Sequence, residues 1–141
     1  MRIIDFFRRG LERGAEVPAF VGEHGSLSYG QVAEMAEGVA AGLHAAGCCG
    51  AGVAVYSPND PIAFGAMIGI FRAGARWVPT NMRNPVPVNA ALLRTTECQL
   101  LFYHPSLAEQ AAQLLCEVPT LRQAVCLGDL PEAASPSQGL T

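Results

Sequence analysis

The sequence predicts an α/β fold with a parallel sheet and right-handed βαβ crossovers. Short apolar segments rich in β-branched residues alternate with segments of about ten to fifteen residues that show helical periodicity, which is the pattern of βαβ units. Half of the 141 residues are apolar, which suffices for a sizeable core and argues against disorder. We expect residues 1–130 to form one α/β subdomain and residues 131–141, rich in Pro, Ser and Ala, to be a linker or truncated tail.

Three predicted elements precede the parallel sheet. Residues 3–13 should form a short helix with an apolar side, and residues 18–28 (PAFVGEHGSLS) a small hairpin centred on residues 23–25. Ser28 is the expected N-cap of the next helix, because Gln31 three residues later completes a capping box. The stripe of that helix consists of apolar residues at helical spacing: Val32, Met35, Ala36, Val39, Leu43 and Ala46.

The parallel sheet is predicted to contain four strands separated by helices. The strands are expected at GVAVYSP (52–58), RWVP (76–79), QLLFYH (99–104) and QAVCLG (123–128). The helix at 61–73, which Asn59 or Asp60 can cap, is apolar nearly all round and should be buried on more than one side. A second helix is expected at 86–96. A third should start at Pro105 and present an apolar stripe of Leu107, Ala111, Leu114 and Leu115.

Composition argues against several classes of function. The formal net charge of −3 provides no basic surface for nucleic acid. The longest near-apolar run is too short to span a bilayer, and the N-terminus lacks the pattern of a secretory signal. All nine basic residues are arginine, so no lysine is available as a phosphate clamp, a Schiff base or a general base.

The cysteines are interpreted as free thiols. They are Cys48, Cys49, Cys98, Cys116 and Cys126; their number is odd, and they form neither a C-x-x-C motif nor a cluster with zinc spacing. We expect them to behave as small buried apolar groups. Free thiols point to a reducing, cytoplasmic compartment.

The glycine motifs have structural interpretations. Gly47, Gly50 and Gly52 follow a helix and open a strand, the reverse of the order in a phosphate-binding loop, so they should form a tight connection. Gly65 and Gly69, four residues apart on a helix, predict close approach of a neighbouring element.

The three histidines do not form a catalytic or metal-binding pattern. His24 is expected in a turn, His44 on a polar helix face and His104 as a helix cap. No carboxylate or nucleophile accompanies them at a convincing spacing, and the motifs of hydrolases, metalloproteases and P-loop enzymes are absent from the sequence. We therefore predict no catalytic and no metal-binding residue in this chain.

Asn81 and Arg83 are the candidate binding residues. They follow the predicted strand RWVP (76–79), and ligands of open α/β sheets bind beyond the carboxyl ends of the strands. An arginine there can hold a phosphate or carboxylate through two parallel hydrogen bonds. Asn81 can contact a ligand or can bond the neighbouring backbone and stabilise the turn.

Four segments resemble, in order and spacing, the opening of adenylate-forming enzymes, the superfamily of acyl- and aryl-CoA synthetases, luciferases and peptide-synthetase adenylation domains. The segments are LSYGQV (27–32), GCCGAGVAVYSPND (47–60), FRAGARWVPTNMRNP (71–85) and QLLFYHPSL (99–107). The resemblance spans roughly residues 5–130 and implies the N-terminal subdomain of an acyl-CoA synthetase-like large domain.

The resemblance implies an activity for a parent protein. Enzymes of this superfamily couple a carboxylic acid to ATP, release pyrophosphate and pass the acyl group to a thiol, usually that of CoA, so ATP, CoA and Mg²⁺ are the implied cofactors. Asn81 stands where peptide-synthetase domains more often carry Asp, which favours the CoA-ligase branch. In that branch the arginine matching Arg83 lies near the path of the CoA nucleotide in some members, which implies a contact with a CoA phosphate.

The sequence departs from the family pattern at Gly50-Ala51, where Gly-Asp is usual, and at Gln31, where Glu is usual. By the resemblance, the Ser/Thr/Gly-rich phosphate loop with its lysine, the adenine, ribose and metal contacts and the C-terminal domain would follow residue 141. We therefore expect the chain alone to be inactive and to bind none of these cofactors tightly. Its partners would be a carboxylic acid, CoA and the rest of the parent chain.

Two alternatives stay open at this point. The chain could be a stand-alone, non-enzymatic α/β binding or interaction module, since a fold does not imply a function. It could also belong to the adenylation domain of a peptide synthetase. In a parent protein the apolar helix at 61–73 would be covered by later chain or by a sheet face, whereas in the isolated chain part of it would be exposed, which would favour self-association.

Overall fold

A computed structural model describes residues 1–23 and 25–129 of the chain. In these residues a four-stranded parallel sheet lies between helices on both faces, and a two-stranded hairpin precedes it. The helices are α1 (Ile3–Glu12), α2 (Tyr29–Ala45), α3 (Pro61–Arg72), α4 (Val86–Thr95) and α5 (Ala108–Glu117). The strands are β1 (Pro18–Gly22), β2 (Gly25–Ser28), β3 (Gly52–Tyr56), β4 (Arg76–Pro79), β5 (Cys98–Tyr103) and β6 (Gln123–Cys126). The predicted tail at 131–141 lies outside the described residues, so the domain boundary at residue 130 stays a prediction.

The sheet has the strand order β4-β3-β5-β6, which confirms the predicted parallel α/β fold. β3 pairs in parallel with β4 on one side and with β5 on the other, and β5 pairs in parallel with β6. The carboxyl ends of the four strands therefore lie along one edge of the sheet, which we call the carboxyl edge. β1 and β2 pair antiparallel as the predicted hairpin, and His24 at its expected turn lies outside the described residues.

Local capping sets the beginnings of α2 and α3. The Ser28 Oγ accepts the backbone N–H of Gln31 at 3.2 Å, and the Gln31 Oε1 accepts the backbone N–H of Ser28 at 2.9 Å, which confirms the capping box. Of the two candidate caps for α3, Asp60 is the one used. Its Oδ1 accepts the backbone N–H of Ile62 at 2.8 Å, one of the helix N–H groups that lack an intrahelical partner.

The sheet is buried on both faces. Val53, Leu100 and Phe102 contribute to a core with α2, α3 and the hairpin, whereas Ala54 and Leu101 contribute to a second core with α4 and α5. Successive side chains of a strand point to opposite faces, so strands covered on both sides need apolar residues at nearly every position. This requirement explains the apolar runs at 53–56 in β3 and at 100–103 in β5.

Helix α3 is buried on several sides, as its all-round apolar sequence predicts. It contacts α1, α2, both hairpin strands, β3 and β4. A Cβ at Gly69 would lie 2.6 Å from the Cβ of Val39 on α2, and a Cβ at Gly65 would collide with the Sδ of Met35. The two glycines therefore allow the close helix approach that their spacing predicts. No helix among the described residues combines the length and the apolar character needed to cross a bilayer.

Two details of the region after β5 differ from the prediction. Pro105 starts a single 3₁₀ turn (Pro105–Leu107), and α5 itself begins at Ala108. Leu115, predicted to belong to the apolar stripe, is 38% exposed, whereas Leu114 is fully buried. The buried residues Leu107, Ala111 and Leu114 follow one another at spacings of four and three residues. Leu115 lies about 100° further round the helix than Leu114 and therefore falls outside this stripe.

Candidate functional site

The carboxyl edge brings the exits of neighbouring strands together. The exits comprise residues 57–60 after β3, 80–85 after β4, 104–107 after β5 and 127–129 after β6. Two hydrogen bonds tie the exits of β4 and β5 to the end of strand β3: Thr80 Oγ1 donates to the Val55 carbonyl at 2.7 Å, and the His104 N–H donates to the Tyr56 carbonyl at 2.9 Å. A ligand of an open α/β sheet binds in the crevice beyond such an edge.

The loop after β4 is a hydrogen-bonded turn built by Asn81. The Asn81 Oδ1 accepts the backbone N–H of Arg83 at 2.9 Å, and the Asn81 carbonyl accepts the N–H of Asn84 at 3.1 Å. The side-chain bond is the Asx turn that an asparagine favours at such a position. The side chain of Asn81 thus bonds the neighbouring backbone and stabilises the turn, which is one of the two roles expected for it from the sequence. Its contact with a ligand stays a prediction.

Asn89 anchors this loop from below, and it was not among the predicted site residues. Its side chain is fully buried in the first turns of α4, and its Nδ2 donates to the Asn81 carbonyl at 2.9 Å. Its Oδ1 is buried without a hydrogen-bond partner among the described residues. The sequence carried a signal for Asn89, because an asparagine four residues before the buried Leu93 lies on the apolar stripe of α4.

Arg83 is exposed on the same loop. Its guanidinium makes no hydrogen bond or ion pair with the described residues, whereas Arg76, Arg94 and Arg122 each donate to a backbone carbonyl. An unpaired guanidinium at the carboxyl edge is free to bind an anion through two parallel hydrogen bonds. The geometry is compatible with the predicted contact to a phosphate, and that contact stays a prediction.

Two clefts adjoin the carboxyl edge, and neither is lined by Asn81 or Arg83. The larger, of about 370 Å³, lies between the hairpin, the start of α3 and His104. Its walls are mixed: Leu27 and Ile62 supply apolar surface, and Glu23 and Asp60 supply carboxylates. The smaller, of about 120 Å³, lies between α3 and the ends of β3 and β4, beside Trp77. Asn81 and Arg83 are both exposed and lie outside these two clefts.

The two described histidines have structural partners. The His104 Nδ1 accepts the N–H of Ser106 at 3.2 Å, so His104 caps the 3₁₀ turn as predicted. His44 is exposed near the end of α2, with its Nδ1 3.4 Å from the Cys49 Sγ. Among residues 1–23 and 25–129, histidine, cysteine and acidic side chains do not form a group of three that could hold a metal ion.

The five cysteines are free thiols, as predicted, but they do not share one environment. Cys48 and Cys98 are buried, whereas Cys49 and Cys116 are exposed, so the prediction of buried apolar groups is wrong for these two. Cys49 lies in the connection from α2 to β3, and Cys116 lies in the last turn of α5. Burial raises the pKa of the Cys98 thiol from its ordinary value of 9.0 to about 11, which makes Cys98 a poor nucleophile.

A comparison with protein families identifies the broad class. The family of AMP-binding enzymes matches residues 7–139. Among curated relatives, phenyloxazoline synthase MbtB of Mycolicibacterium paratuberculosis (strain ATCC BAA-968 / K-10) is 36% identical over 132 residues. This alignment covers 92% of the present chain and 11% of the relative. The chain therefore spans about a ninth of the length of this relative.

Solved structures share the fold. A crystal structure of the anthranilate CoA ligase AuaEII in complex with anthranoyl-AMP superposes with a TM-score of 0.84 and 21% identity, covering 100% of this chain and 28% of the ligase. The inhibitor-bound N-terminal domain of FACL13 from Mycobacterium tuberculosis gives a TM-score of 0.83 and 20% identity, covering 100% of this chain and 38% of that domain. The structural likeness concerns the fold, and the family match adds the relationship. The chain belongs to the family of AMP-binding enzymes, the adenylate-forming enzymes that its four sequence segments resemble.

Proposed function

We propose that the chain is the N-terminal part of an ATP-dependent acid–thiol ligase, which activates a carboxylic acid as its adenylate and transfers the acyl group to CoA. The family match over residues 7–139 carries the proposal. The share of the anthranilate CoA ligase covered by this chain, 28%, leaves most of such an enzyme to a longer parent polypeptide. That parent would bind ATP and Mg²⁺ through residues that do not belong to this chain.

Arg83 would contact a phosphate of CoA in that enzyme. Its guanidinium is exposed at the carboxyl edge and makes no hydrogen bond or ion pair with the described residues. Asn81 and Asn89 hold the loop that carries it, so the backbone of Arg83 is positioned before any ligand arrives. A preorganised donor loses less entropy on binding than a donor on a mobile loop.

The chain alone should not catalyse the reaction. It has no lysine, and its described residues offer no three-ligand metal site. The test measures the release of pyrophosphate from ATP by the purified 141-residue chain, in the presence of Mg²⁺, CoA and each of a panel of carboxylic acids. Turnover above the protein-free background would contradict the proposed division between this chain and the rest of the parent.

The role of Arg83 is tested in the enzyme that contains this segment. One charge-assisted contact contributes about 1.5 to 3 kcal/mol, so Arg83→Ala should raise the KM for CoA at least about tenfold. The acid-dependent exchange of pyrophosphate into ATP should not change, because it precedes the use of CoA. Arg13→Ala is the matched control, since Arg13 is exposed and lies just after α1. An unchanged KM for CoA in Arg83→Ala would make Arg83 a turn residue without a ligand role.

The sequence similarity to a synthase favours a second candidate, an adenylation domain of the peptide-synthetase type. The acceptor of the acyl group separates the two. Acid-dependent pyrophosphate exchange together with formation of an acyl-CoA supports the CoA ligase. Exchange without any acyl-CoA supports the peptide-synthetase type. A stop codon directly after residue 141, with no exchange, would support the non-enzymatic module.

Two further features of the proposal concern the setting of the protein. We propose a reducing, cytoplasmic setting, because all five cysteines are free.

We also propose that the isolated chain self-associates through the exposed part of α3, where Phe64 is 36% exposed and stacks on Phe20 with ring centroids 5.3 Å apart. Light scattering that shows a monodisperse monomer at high concentration would contradict self-association.

A further inference from the structure

A nucleophile and a base lie side by side at the edge of the sheet opposite the carboxyl edge. The connection from α2 to β3 turns at Gly47 and Gly50, whose φ angles are 70° and 80°. This turn brings Cys49 back toward the last turn of α2, so that its Sγ lies 3.4 Å from the Nδ1 of His44. Both side chains are exposed.

The other cysteines lack this arrangement. Cys48 and Cys98 are buried, and their Sγ atoms lie within hydrogen-bonding distance of the carbonyls of Ala46 and Leu100. Cys116 is exposed like Cys49, but no described histidine lies within hydrogen-bond distance of its thiol. Cys126 is half-buried, so Cys49 and Cys116 are the two exposed thiols, and they differ in the presence of a neighbouring imidazole.

We propose that Cys49 is a site of covalent modification by small disulfides, with His44 as its base. In the tautomer that carries its hydrogen on Nε2, the His44 Nδ1 accepts the proton of the Cys49 thiol. The thiolate attacks one sulfur of the disulfide, a new bond forms between the Cys49 Sγ and that sulfur, and the old S–S bond breaks. The leaving thiolate takes up the proton from the His44 Nδ1. One S–S bond thereby replaces another, and the disulfide itself is the oxidant.

The geometry explains why Cys49 is selected. The thiolate is the nucleophile, and a free cysteine is only a few per cent thiolate at neutral pH. A base within hydrogen-bond distance removes the proton as the sulfur attacks, which is the arrangement of activated cysteine nucleophiles. The site lies across the sheet from Asn81 and Arg83, so this inference does not depend on the proposed ligase function.

The test compares the two exposed thiols within one molecule. The native chain is incubated with oxidised glutathione at pH 7, and the mixed disulfides at Cys49 and Cys116 are quantified by peptide mass spectrometry over time. Because a free thiol is mostly protonated at this pH, we expect Cys49 to react about tenfold faster than Cys116. In His44→Gln the rate at Cys49 should fall to within about twofold of the rate at Cys116, which itself should not change.

The buried thiols report on folding in the same experiment. Protection of Cys48 and Cys98 shows that each variant is folded, since unfolding would expose them. Equal rates at Cys49 and Cys116 in the native chain would overturn the proposal. A rate at Cys49 that is unaffected in folded His44→Gln would overturn the role of His44 as the base.

Discussion

Replacing Asn89 with leucine tests the polar contact beneath the loop that carries Arg83. The Asn89 side chain is fully buried and makes one hydrogen bond, from its Nδ2 to the Asn81 carbonyl, while its Oδ1 has no partner among the described residues. Leucine has the same number of side-chain heavy atoms and branches at the same carbon. The substitution therefore removes both polar atoms with little change in the shape of the side chain.

The magnitude follows from what each polar atom contributes. Loss of the Nδ2 hydrogen bond should cost about 1 kcal/mol. The Asn81 carbonyl keeps a partner, the N–H of Asn84 at 3.1 Å, so it carries no further penalty. Removing an unpartnered buried oxygen should return about 1 to 3 kcal/mol. We therefore expect Asn89→Leu to raise the free energy of unfolding by about 1 kcal/mol.

Two further variants give the expected order of stability. Asn89→Ala also removes both polar atoms but leaves a cavity, so we expect it to be less stable than Asn89→Leu by about 2 to 5 kcal/mol. Asn89→Asp replaces the donor by a buried carboxylate and should lower the free energy of unfolding by about 3 kcal/mol at neutral pH. At pH 7 we therefore expect Asn89→Leu to be the most stable protein and the native chain the next, with Asn89→Ala and Asn89→Asp both less stable than the native chain.

Urea unfolding of the 141-residue chain measures this order. Trp77 is the single tryptophan and is 40% exposed on the edge strand β4, so its fluorescence and the far-ultraviolet circular dichroism provide two probes. Coincident transitions with equal slopes allow the free energies to be compared. A loss of more than about 1 kcal/mol in Asn89→Leu would refute the reasoning, because it would mean that the Asn89 Oδ1 is satisfied, for instance by a water.

Two further predictions concern the cores of the sheet. Gly69→Ala places a Cβ 2.6 Å from the Cβ of the stiff Val39, so it should lower the free energy of unfolding by about 2 kcal/mol. Gly65→Ala meets the flexible side chain of Met35, so its loss of unfolding free energy should be smaller than that of Gly69→Ala by about 1 kcal/mol. Equal losses for the two variants in urea titrations would contradict this prediction. Burial raises the pKa of the Cys98 thiol to about 11. Between pH 9 and 11 the unfolded chain therefore loses this proton while the folded chain keeps it. The free energy of unfolding should fall over this range by up to about 1.4 kcal/mol per pH unit. Cys98→Ala should remove this part of the slope, and identical slopes in the two proteins would argue against it.

Several features of the candidate site were within reach of the sequence, and others were not. The strand-end position of Asn81 and Arg83 followed from the alternation of strands and helices. The burial of Asn89 had a local signal, its place on the apolar stripe of α4, but its partner did not. The bond to the Asn81 carbonyl depends on how α4 folds back under the loop after β4. The pairing of His44 with Cys49 likewise depends on the path of the turn through Gly47 and Gly50.

Local sequence patterns were enough to predict the helices and strands of this protein and its relationship to adenylate-forming enzymes. Capping residues and apolar periodicity act over three or four positions, so Ser28 with Gln31 and the stripe of α2 could be read without a structure. The strand order β4-β3-β5-β6, the exposure of Leu115 and the burial of each cysteine became known only from the packed fold. These properties depend on which surfaces, distant in sequence, pack against each other. That choice depends on packing over the whole chain and cannot be recognised from the residues around one position.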